Sequence, residues 1–257
     1  MKYTVLTLFP EISDAFFASS IMAKALERGI IEYKSINIRD YAFDKHRTCD
    51  DAPYGGGAGM LMLAEPLSRA LEAVLSCLPG QRAIYLTPSG KPFNQALARE
   101  LAAESELILI CGRYEGIDQR IIDTYVDDEI SVGDYVLSSG EAAALILIDA
   151  TYRLVDDVIT PASLEEESFS GGLLEYPQYT RPEIYGTLKV PEVLLSGHHE
   201  NIRRWRLEKR VERTLARRPD LIRLGEERGI FDDEIRKIIE QKSAQMAGRE
   251  TNGEGER

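Results

Sequence analysis

The sequence contains little cysteine and no long apolar run. Its three cysteines, Cys49, Cys77 and Cys111, form no CxxC pair among the 257 residues. Three scattered cysteines supply neither a disulfide framework nor a zinc site, which favours a reducing, cytoplasmic setting. No apolar run approaches the roughly 20 residues needed to span a bilayer, and the chain from Met1 shows no signal-peptide pattern. We therefore expect a cytoplasmic protein that has no membrane partner.

Two common nucleotide-binding motifs are also missing. The sequence has neither a GxGxxG fingerprint nor a Walker lysine motif, which disfavours a dinucleotide site and a P-loop site. No set of His, Asp and Glu residues has recognisable metal-ligand spacing, so no metal-binding residue is predicted.

Charge is distributed unevenly along the chain. The net charge of −12 argues against binding to DNA or RNA, because phosphate contacts need a basic surface. Residues 181–257, however, carry 17 basic and 15 acidic side chains, which leaves −14 on residues 1–180. Within the second part, Arg203–Arg218 holds eight Lys or Arg residues against two Glu residues. That stretch has the charge to meet RNA, although composition alone leaves the question open.

The first 157 residues alternate short apolar segments with helical patterns. The segments that predict strands are Tyr3–Phe9, Ile31–Ile38, Ala83–Thr87, Glu106–Cys111 and Glu129–Val132. Helices are predicted from Pro10 to a stop at Gly29, with an apolar face that includes Ile21, and over Glu65–Cys77, Asn94–Ala103 and Ala142–Ala150. Regular alternation predicts an α/β domain in which helices cover both faces of a parallel sheet.

The pattern changes after residue 157. Residues 158–175 are polar, acidic and glycine-bearing, which predicts a mobile linker. From Tyr179 onward the only clear patterns are helical, and 176–246 is predicted to be a small all-α domain. The tail at 247–257 is predicted to be disordered.

Three loops of the first domain place glycines directly after predicted strands, at 85–90, 112–118 and 131–140. Each alone reads as a turn, but turns rarely need Tyr, Arg, Glu and Asp among their glycines. Ligands bind beyond the carboxyl ends of parallel strands, so the three loops are expected to form one pocket. A fourth glycine cluster, Pro53–Met60, is typical of either a phosphate cradle or a flexible lid.

The order and spacing of several segments resemble the bacterial tRNA (guanine-N1)-methyltransferase family over nearly the whole chain. These segments are Tyr54–Met60, Cys111–Asp118, Ile130–Glu141, Tyr179–Glu183 and Val193–His199, the last of which runs into Ile202–Arg206. The resemblance implies a SPOUT-like trefoil knot in the α/β domain and a homodimer whose active sites lie at the subunit interface. It also implies methylation, with S-adenosylmethionine, of N1 of guanine 37, next to the anticodon of tRNA. Mg²⁺ is implied as an aid to activity.

The resemblance carries the cofactor site onto the three loops. The matching residues are Tyr85, Leu86, Pro88, Gly112, Tyr114, Glu115, Gly116, Val132, Gly133, Asp134, Tyr135, Val136, Leu137 and Gly140. Glu115 and Asp134 either favour the positive sulfonium or serve as carboxylates that satisfy free amides at a helix start.

Two residues match the positions of the family's catalytic groups. Arg153 aligns with the arginine near the transferred methyl group, where a permanently charged guanidinium can stabilise O6 of guanine. The family's general base is an aspartate in an Asp-Ser-Phe segment, and this chain has Glu167-Ser168-Phe169 instead. Glu165 and Glu166 adjoin Glu167, and a like-charged cluster raises the proton affinity of a carboxylate. The alternatives are that Glu166 is the base or that the run is only a solvated linker.

RNA binding is expected in the C-terminal domain, at the anticodon arm of tRNA. The candidates are Ser196, Gly197, His198, Arg203, Arg204, Arg206, Lys209 and Arg210. A basic amphipathic helix with Trp205 on its apolar side is the structural alternative. The rival functions are a related knotted methyltransferase that acts on another RNA, and a non-catalytic RNA-binding protein, which the Glu in place of Asp favours.

Overall fold

The computed structural model describes residues 1–77, 80–160, 164 and 166–253, with only the backbone for 247–253. These residues form two compact units, Met1–Thr160 and Pro161–Arg257. In the N-terminal unit, five parallel strands form one sheet in the order β2-β1-β6-β5-β7. Its strands are β1 (Lys2–Thr7), β2 (Glu32–Asn37), β5 (Arg82–Pro92), β6 (Glu106–Ile110) and β7 (Asp128–Ser131), and β3 (Asp50–Asp51) pairs with β4 (Leu61–Met62) in a separate hairpin.

Helices cover both faces of this sheet, as the sequence predicts. They are α1 (Pro10–Phe17), α2 (Ser20–Glu27), α3 (Ala64–Leu75), α4 (Gln95–Ala102), α5 (Gln119–Tyr125) and α6 (Gly140–Tyr152), with a short 3₁₀ turn at Ile38–Tyr41. One core contains residues of α1, α2, α4 and α6, and the other contains residues of α3 and α5. Every residue of β6 is buried, because this central strand is covered on both sides.

The single helix predicted from Pro10 to Gly29 is wrong in one respect. The helix stops at Ala18, whose amide bonds to the Asp14 carbonyl, and it restarts at Ser20, which has a left-handed φ of 55°. The break rotates the second half, so Met22 enters the core and Ile21 is exposed. Helix α5 was not predicted from its pattern, although Asp118 caps it by accepting a hydrogen bond from the Arg120 amide.

The C-terminal unit is mainly helical, as predicted. Its helices are α7 (Glu192–Leu195), α8 (His199–Arg217), α9 (Pro219–Glu227) and α10 (Asp233–Gly253). Its core consists of Leu173, Val211, Ile222, Phe231, Ile238 and Ile239. The expectation of helices alone misses a hairpin of β8 (Ile184–Tyr185) and β9 (Leu188–Lys189), which turns at Gly186 with a φ of 62°.

The tail predicted from Ala247 falls partly on α10 and partly on residues 254–257, which lie outside the described range. Across the described residues, none of the helices is both long and apolar enough to cross a membrane.

Candidate functional site

The three glycine-bearing segments of the N-terminal unit meet around one cleft. Segments 112–118 and 131–140 lie at the carboxyl ends of β6 and β7, but 85–90 is not the loop that the sequence predicts, because it lies within β5, which runs on to Pro92 with an irregular register between Leu86 and Lys91. The lining residues are Tyr85, Leu86, Thr87, Pro88, Gly112, Arg113, Tyr114, Glu115, Gly116, Ile130, Ser131, Val132, Gly133, Tyr135, Val136, Leu137, Ser138, Ser139, Gly140 and Ala143. Thirteen of the fourteen residues matched to the cofactor site are among them. Asp134 is not, and it lies exposed on the surface.

Backbone contacts hold two of these loops together. The Gly140 amide donates to the Gly112 carbonyl at 2.8 Å, and Arg113 and Ser139 form an antiparallel bridge beside them. A Cβ on Gly140 would lie 2.7 Å from the Gly112 nitrogen and 2.9 Å from the Cys111 Cα. The neighbouring atoms belong to the backbone and cannot rotate away as a side chain could, so only glycine fits at position 140.

Tyr85 forms the floor beneath the 112–118 loop. Its ring is buried and would lie only 2.9 Å from a Cβ placed on Gly112. Burial raises the pKa of Tyr85, although a hydrogen bond to the backbone of Ile117 partly opposes that shift. The side chain is therefore a neutral phenol at physiological pH, and it closes the cleft from below without adding charge.

The fourth glycine cluster adjoins this loop through its end at Gly59. The Glu115 amide donates to the Met60 carbonyl at 2.9 Å, and the Met62 amide donates to the Gly116 carbonyl at 3.0 Å. Gly59 has a φ of +86°, and the Glu115 carboxylate occupies the space where its Cβ would stand. A carboxylate in this position disfavours a phosphate cradle at Gly59, because it would repel the anion.

A buried polar pair lies at the start of α6, below the cleft. Glu141 is 2% exposed and accepts a hydrogen bond from the Thr7 hydroxyl at 2.5 Å. The pair ties the carboxyl end of β1 to the start of α6. No sequence pattern indicates this pair, since a Glu in the first turn of a helix is normally solvated. Cys111 is fully buried nearby, and burial raises the pKa of its thiol well above the ordinary value, so it is not a nucleophile.

Arg153 lies at the opposite end of α6 from the cleft. Gly140 begins this helix beside the cleft, and thirteen residues at 1.5 Å per residue place Arg153 about 20 Å away along the axis. The hydroxyls of Tyr3 and Thr151 are 2.8 Å apart, which sets the end of α6 beside the amino end of β1. Within one chain, Arg153 and the cleft are therefore at opposite edges of the sheet.

Glu167 belongs to a folded segment of the C-terminal unit. We call residues 166–176 the strap. The Glu167 carbonyl accepts from the Ser170 amide at 3.0 Å, and the Phe169 amide donates to the Leu173 carbonyl at 2.8 Å. Leu173 is 1% exposed and packs in the core of this unit. Glu166 accepts a hydrogen bond from Tyr176, whereas Glu165 lies outside the described residues.

The five basic residues matched to RNA binding all have protein partners. Arg203 pairs with Glu200 and Glu234, Arg204 with Glu208, and Lys209 with Glu212. The other two contact the strap: Arg206 pairs with Glu166, and Arg210 donates to the carbonyls of Ser170 and Leu174. Ser196, Gly197 and His198 are exposed just before α8, where the Ser196 hydroxyl accepts from the His198 amide at 3.2 Å.

No group of three or more His, Cys, Asp or Glu residues that could hold a metal ion occurs in the portion of the chain that the structure describes. The cleft is lined largely by backbone, small residues and aromatic rings. A parallel α/β unit with such a cleft at its carboxyl edge defines a class of proteins that bind a small molecule there.

Comparison with known proteins narrows this class. The family model described as tRNA (Guanine-1)-methyltransferase TrmD matches residues 1–224. A relative in Treponema denticola is 65% identical over 241 residues, which cover 94% of this chain and 98% of that protein. Relatives in Treponema pallidum and Borreliella burgdorferi are 54% and 60% identical, covering 98% and 86% of this chain and 100% and 92% of their own lengths. All three carry the name tRNA (guanine-N(1)-)-methyltransferase.

The chain therefore belongs to the tRNA (guanine-1)-methyltransferase TrmD family. This confirms the family predicted from the sequence and the prediction that the protein is an enzyme. The family has the knotted SPOUT fold, which agrees with the five-stranded parallel sheet found here.

Proposed function

We propose that this protein is an S-adenosylmethionine-dependent tRNA (guanine-N1)-methyltransferase that acts on guanine 37, immediately 3′ of the anticodon. The observation that carries the proposal is the convergence of three glycine-bearing segments on one cleft, in a chain of this family. The predicted cofactor residues supply all three segments of that cleft.

The lining fits a methyl donor that carries an adenosyl group. Leu86, Val132 and Leu137 offer apolar contacts, and loops rich in glycine expose amides and carbonyls that can bind the polar edge of a base. The backbone contact between Gly112 and Gly140 keeps side chains out of this wall. When bound, the donor supplies an electrophilic methyl group on a positively charged sulfur.

The acceptor nitrogen must lose its proton to become a nucleophile. In the proposed reaction the Glu167 carboxylate accepts the proton from guanine N1. The freed electron pair of N1 forms the bond to the methyl carbon as the bond from carbon to sulfur breaks, with its electrons left on sulfur. Arg153 stabilises the negative charge that spreads to O6, because its guanidinium stays protonated. The cleft orients the reacting atoms in line.

A homodimer is part of this proposal, and the position of Arg153 supports it. Arg153 lies about 20 Å along α6 from the cleft of its own chain. An arginine that contacts the methyl group must therefore come from a second copy, Arg153 of the partner subunit. The C-terminal unit is proposed to bind the anticodon arm, and the target base must leave the loop stack to reach the cleft. The proposal places the reaction in the cytoplasm and assigns no residue to Mg²⁺.

Transfer of tritium from labelled S-adenosylmethionine to unmodified tRNA tests the proposal. We expect label in tRNA that has guanine at position 37, none in tRNA with adenine there, and 1-methylguanosine after digestion. A methyl group on a ribose or on another base would point to a related knotted enzyme with a different RNA target. Tight tRNA binding without any transfer would point to a non-catalytic RNA-binding protein.

A further inference from the structure

The strap is closed on itself by hydrogen bonds that begin at Glu167, whose carbonyl accepts from the Ser170 amide at 3.0 Å. The Glu175 amide donates to the Ser168 hydroxyl at 3.1 Å, and the Phe169 amide donates to the Leu173 carbonyl at 2.8 Å. Phe169 has a left-handed φ of 70°, and the two glycines that follow Ser170 have left-handed φ values of 62° and 77°. The candidate base therefore lies in a compact loop, whose position depends on what holds the loop to α8.

Arg210 makes the most direct link between α8 and the strap. Its Nη2 donates to the Ser170 carbonyl at 2.7 Å, and its Nε donates to the Leu174 carbonyl at 3.4 Å. One rigid guanidinium thus joins both arms of the loop. Arg210 is partly buried, and this burial lowers the pKa of its guanidinium from the usual value.

Thr214 and Arg206 add contacts on either side of Arg210. The Thr214 hydroxyl is fully buried, accepts from the Leu174 amide at 2.9 Å and donates to the Arg210 carbonyl at 2.7 Å. Arg206 lies over the Tyr176 ring at 4.8 Å, and its Nη1 is 3.3 Å from Glu166. The Tyr176 hydroxyl donates to the same Glu166 oxygen at 2.8 Å.

We propose that Arg210 is a positioning residue for the methyl-transfer reaction, because it fastens the strap, and with it Glu167, to α8. This inference rests on the proposed function, since it takes Glu167 to be the general base. It also means that Arg210 does not bind tRNA phosphates, although its place on a basic helix indicates such a role. An arginine whose donors are engaged by two backbone carbonyls serves the fold of the strap, whereas a phosphate contact needs donors that face the solvent.

Three substitutions in the full-length protein test this role. Arg210→Met keeps the length of the side chain and removes its donors, and Arg210→Lys keeps the charge and one donor group. Arg217→Met is the matched control, because Arg217 lies on the same helix, is exposed and has the same charge. Single-turnover methyl transfer, the KM for tRNA and amide hydrogen exchange of residues 166–176 are measured for each.

We expect Arg210→Met to slow methyl transfer by about 10- to 100-fold, because small misplacements of a reacting group are that costly. The KM for tRNA should change by less than about twofold, and amide exchange in the strap should accelerate by at least about tenfold. Arg210→Lys should recover part of the rate, and Arg217→Met should match the wild type.

Weaker tRNA binding in Arg210→Met, with an unchanged rate at saturation, would identify a phosphate contact and overturn the proposal. Normal transfer by both the wild type and Arg210→Met would overturn the positioning role alone. A wild-type protein that transfers no methyl group to tRNA would instead overturn the proposed function, and strap exchange in Arg210→Met would still report whether Arg210 holds the segment.

Discussion

The cleft of the N-terminal unit and the strap of the C-terminal unit are held in shape by different kinds of contact. The cleft depends on backbone packed directly on backbone, as where Gly140 meets Gly112 at 2.8 Å. The strap depends on long side chains, chiefly Arg210 and Arg206, that reach from α8 to carbonyls and a carboxylate. Adding an atom to the backbone wall of the cleft is therefore expected to be costly. In the strap, a substitution is costly when it removes a hydrogen-bond donor, even if it keeps the size of the side chain.

The largest expected effect tests whether Glu167, in the strap, is the general base. Glu167→Ala should lower the single-turnover rate of methyl transfer by about 10²- to 10⁴-fold, the usual contribution of a general base. Affinity for S-adenosylmethionine should not change, because the cleft is built in the other unit. Glu167→Asp, which restores the carboxylate on a shorter stem, should recover part of the rate.

Glu166→Ala serves as the comparison for that experiment, since it removes the neighbouring carboxylate that Tyr176 and Arg206 bind. A larger loss of rate in Glu166→Ala than in Glu167→Ala would make Glu166 the base. Full activity in Glu167→Ala would remove Glu167 from the reaction.

The second prediction tests the wall of the cleft. Gly140→Ala places a methyl group 2.7 Å from the Gly112 nitrogen. Overpacking of this kind costs about 1–3 kcal/mol, so we expect the dissociation constant for S-adenosylmethionine to rise by about tenfold or more, as measured by calorimetry. Ala142→Ser adds one atom on the exposed face of the same helix and should bind the cofactor normally. Unchanged affinity in Gly140→Ala would show that the wall can yield.

The third prediction concerns ion pairs that hold two strands of the N-terminal unit together. Asp128 on β7 binds both Arg82 and Lys91, which flank the irregular part of β5 that lines the cleft. Asp128→Asn should lower the free energy of unfolding at pH 7 by roughly 2 kcal/mol, because hydrogen bonds to charged groups are lost. Urea unfolding measures this difference.

The same substitution should have a smaller effect in acid. Burial alone would raise the pKa of Asp128, but the hydrogen bonds from Arg82 and Lys91 bring it below the ordinary value. A lowered folded-state pKa stabilises the protein fully above the unfolded value, near 4, and this contribution disappears as the pH falls through the folded value. The gap between wild type and Asp128→Asn should therefore narrow below about pH 4. A gap that stays constant down to pH 2 would contradict the assignment.

The two regions also differ in how far the sequence predicts them. Two loops of the cleft follow β6 and β7, and its third segment lies in the irregular second half of β5. Parallel strands bring these parts to one edge of the sheet, so the alternation of strands and helices was enough to gather them. The sequence shows that Gly112 and Gly140 are glycines in loops. It does not show that they contact each other, because the contact joins residues 28 positions apart where two loops cross.

The role of the arginines on α8 could not be predicted in the same way. Helical periodicity places Arg203, Arg206 and Arg210 along one side of a helix, but it does not say what lies against that side. The structure puts the strap, about 40 residues earlier in the chain, against Arg206 and Arg210, whereas Arg203 pairs with Glu234 of α10. The break before Ser20 escaped prediction for a related reason. The apolar spacing runs through it, and the extended Ser19 and left-handed Ser20 that mark it are features of the backbone alone.

The smallest expected effect separates the arginines that hold the strap from those that remain available to RNA. Arg204 is 68% exposed and pairs only with Glu208 on its own helix at 3.2 Å. An exposed pair of this kind contributes little and exchanges readily for a phosphate. Arg204→Ala should weaken tRNA binding a few-fold and reduce the slope of log affinity against log salt by about 0.7–0.9, the change expected for one phosphate contact. Arg210→Met should leave that slope unchanged.

Fluorescence titrations of labelled tRNA at several salt concentrations provide both slopes, with S-adenosylmethionine binding as the control for folding. Equal slopes for wild type and Arg204→Ala would exclude Arg204 as a phosphate contact, and a reduced slope in Arg210→Met would show that both arginines face the RNA.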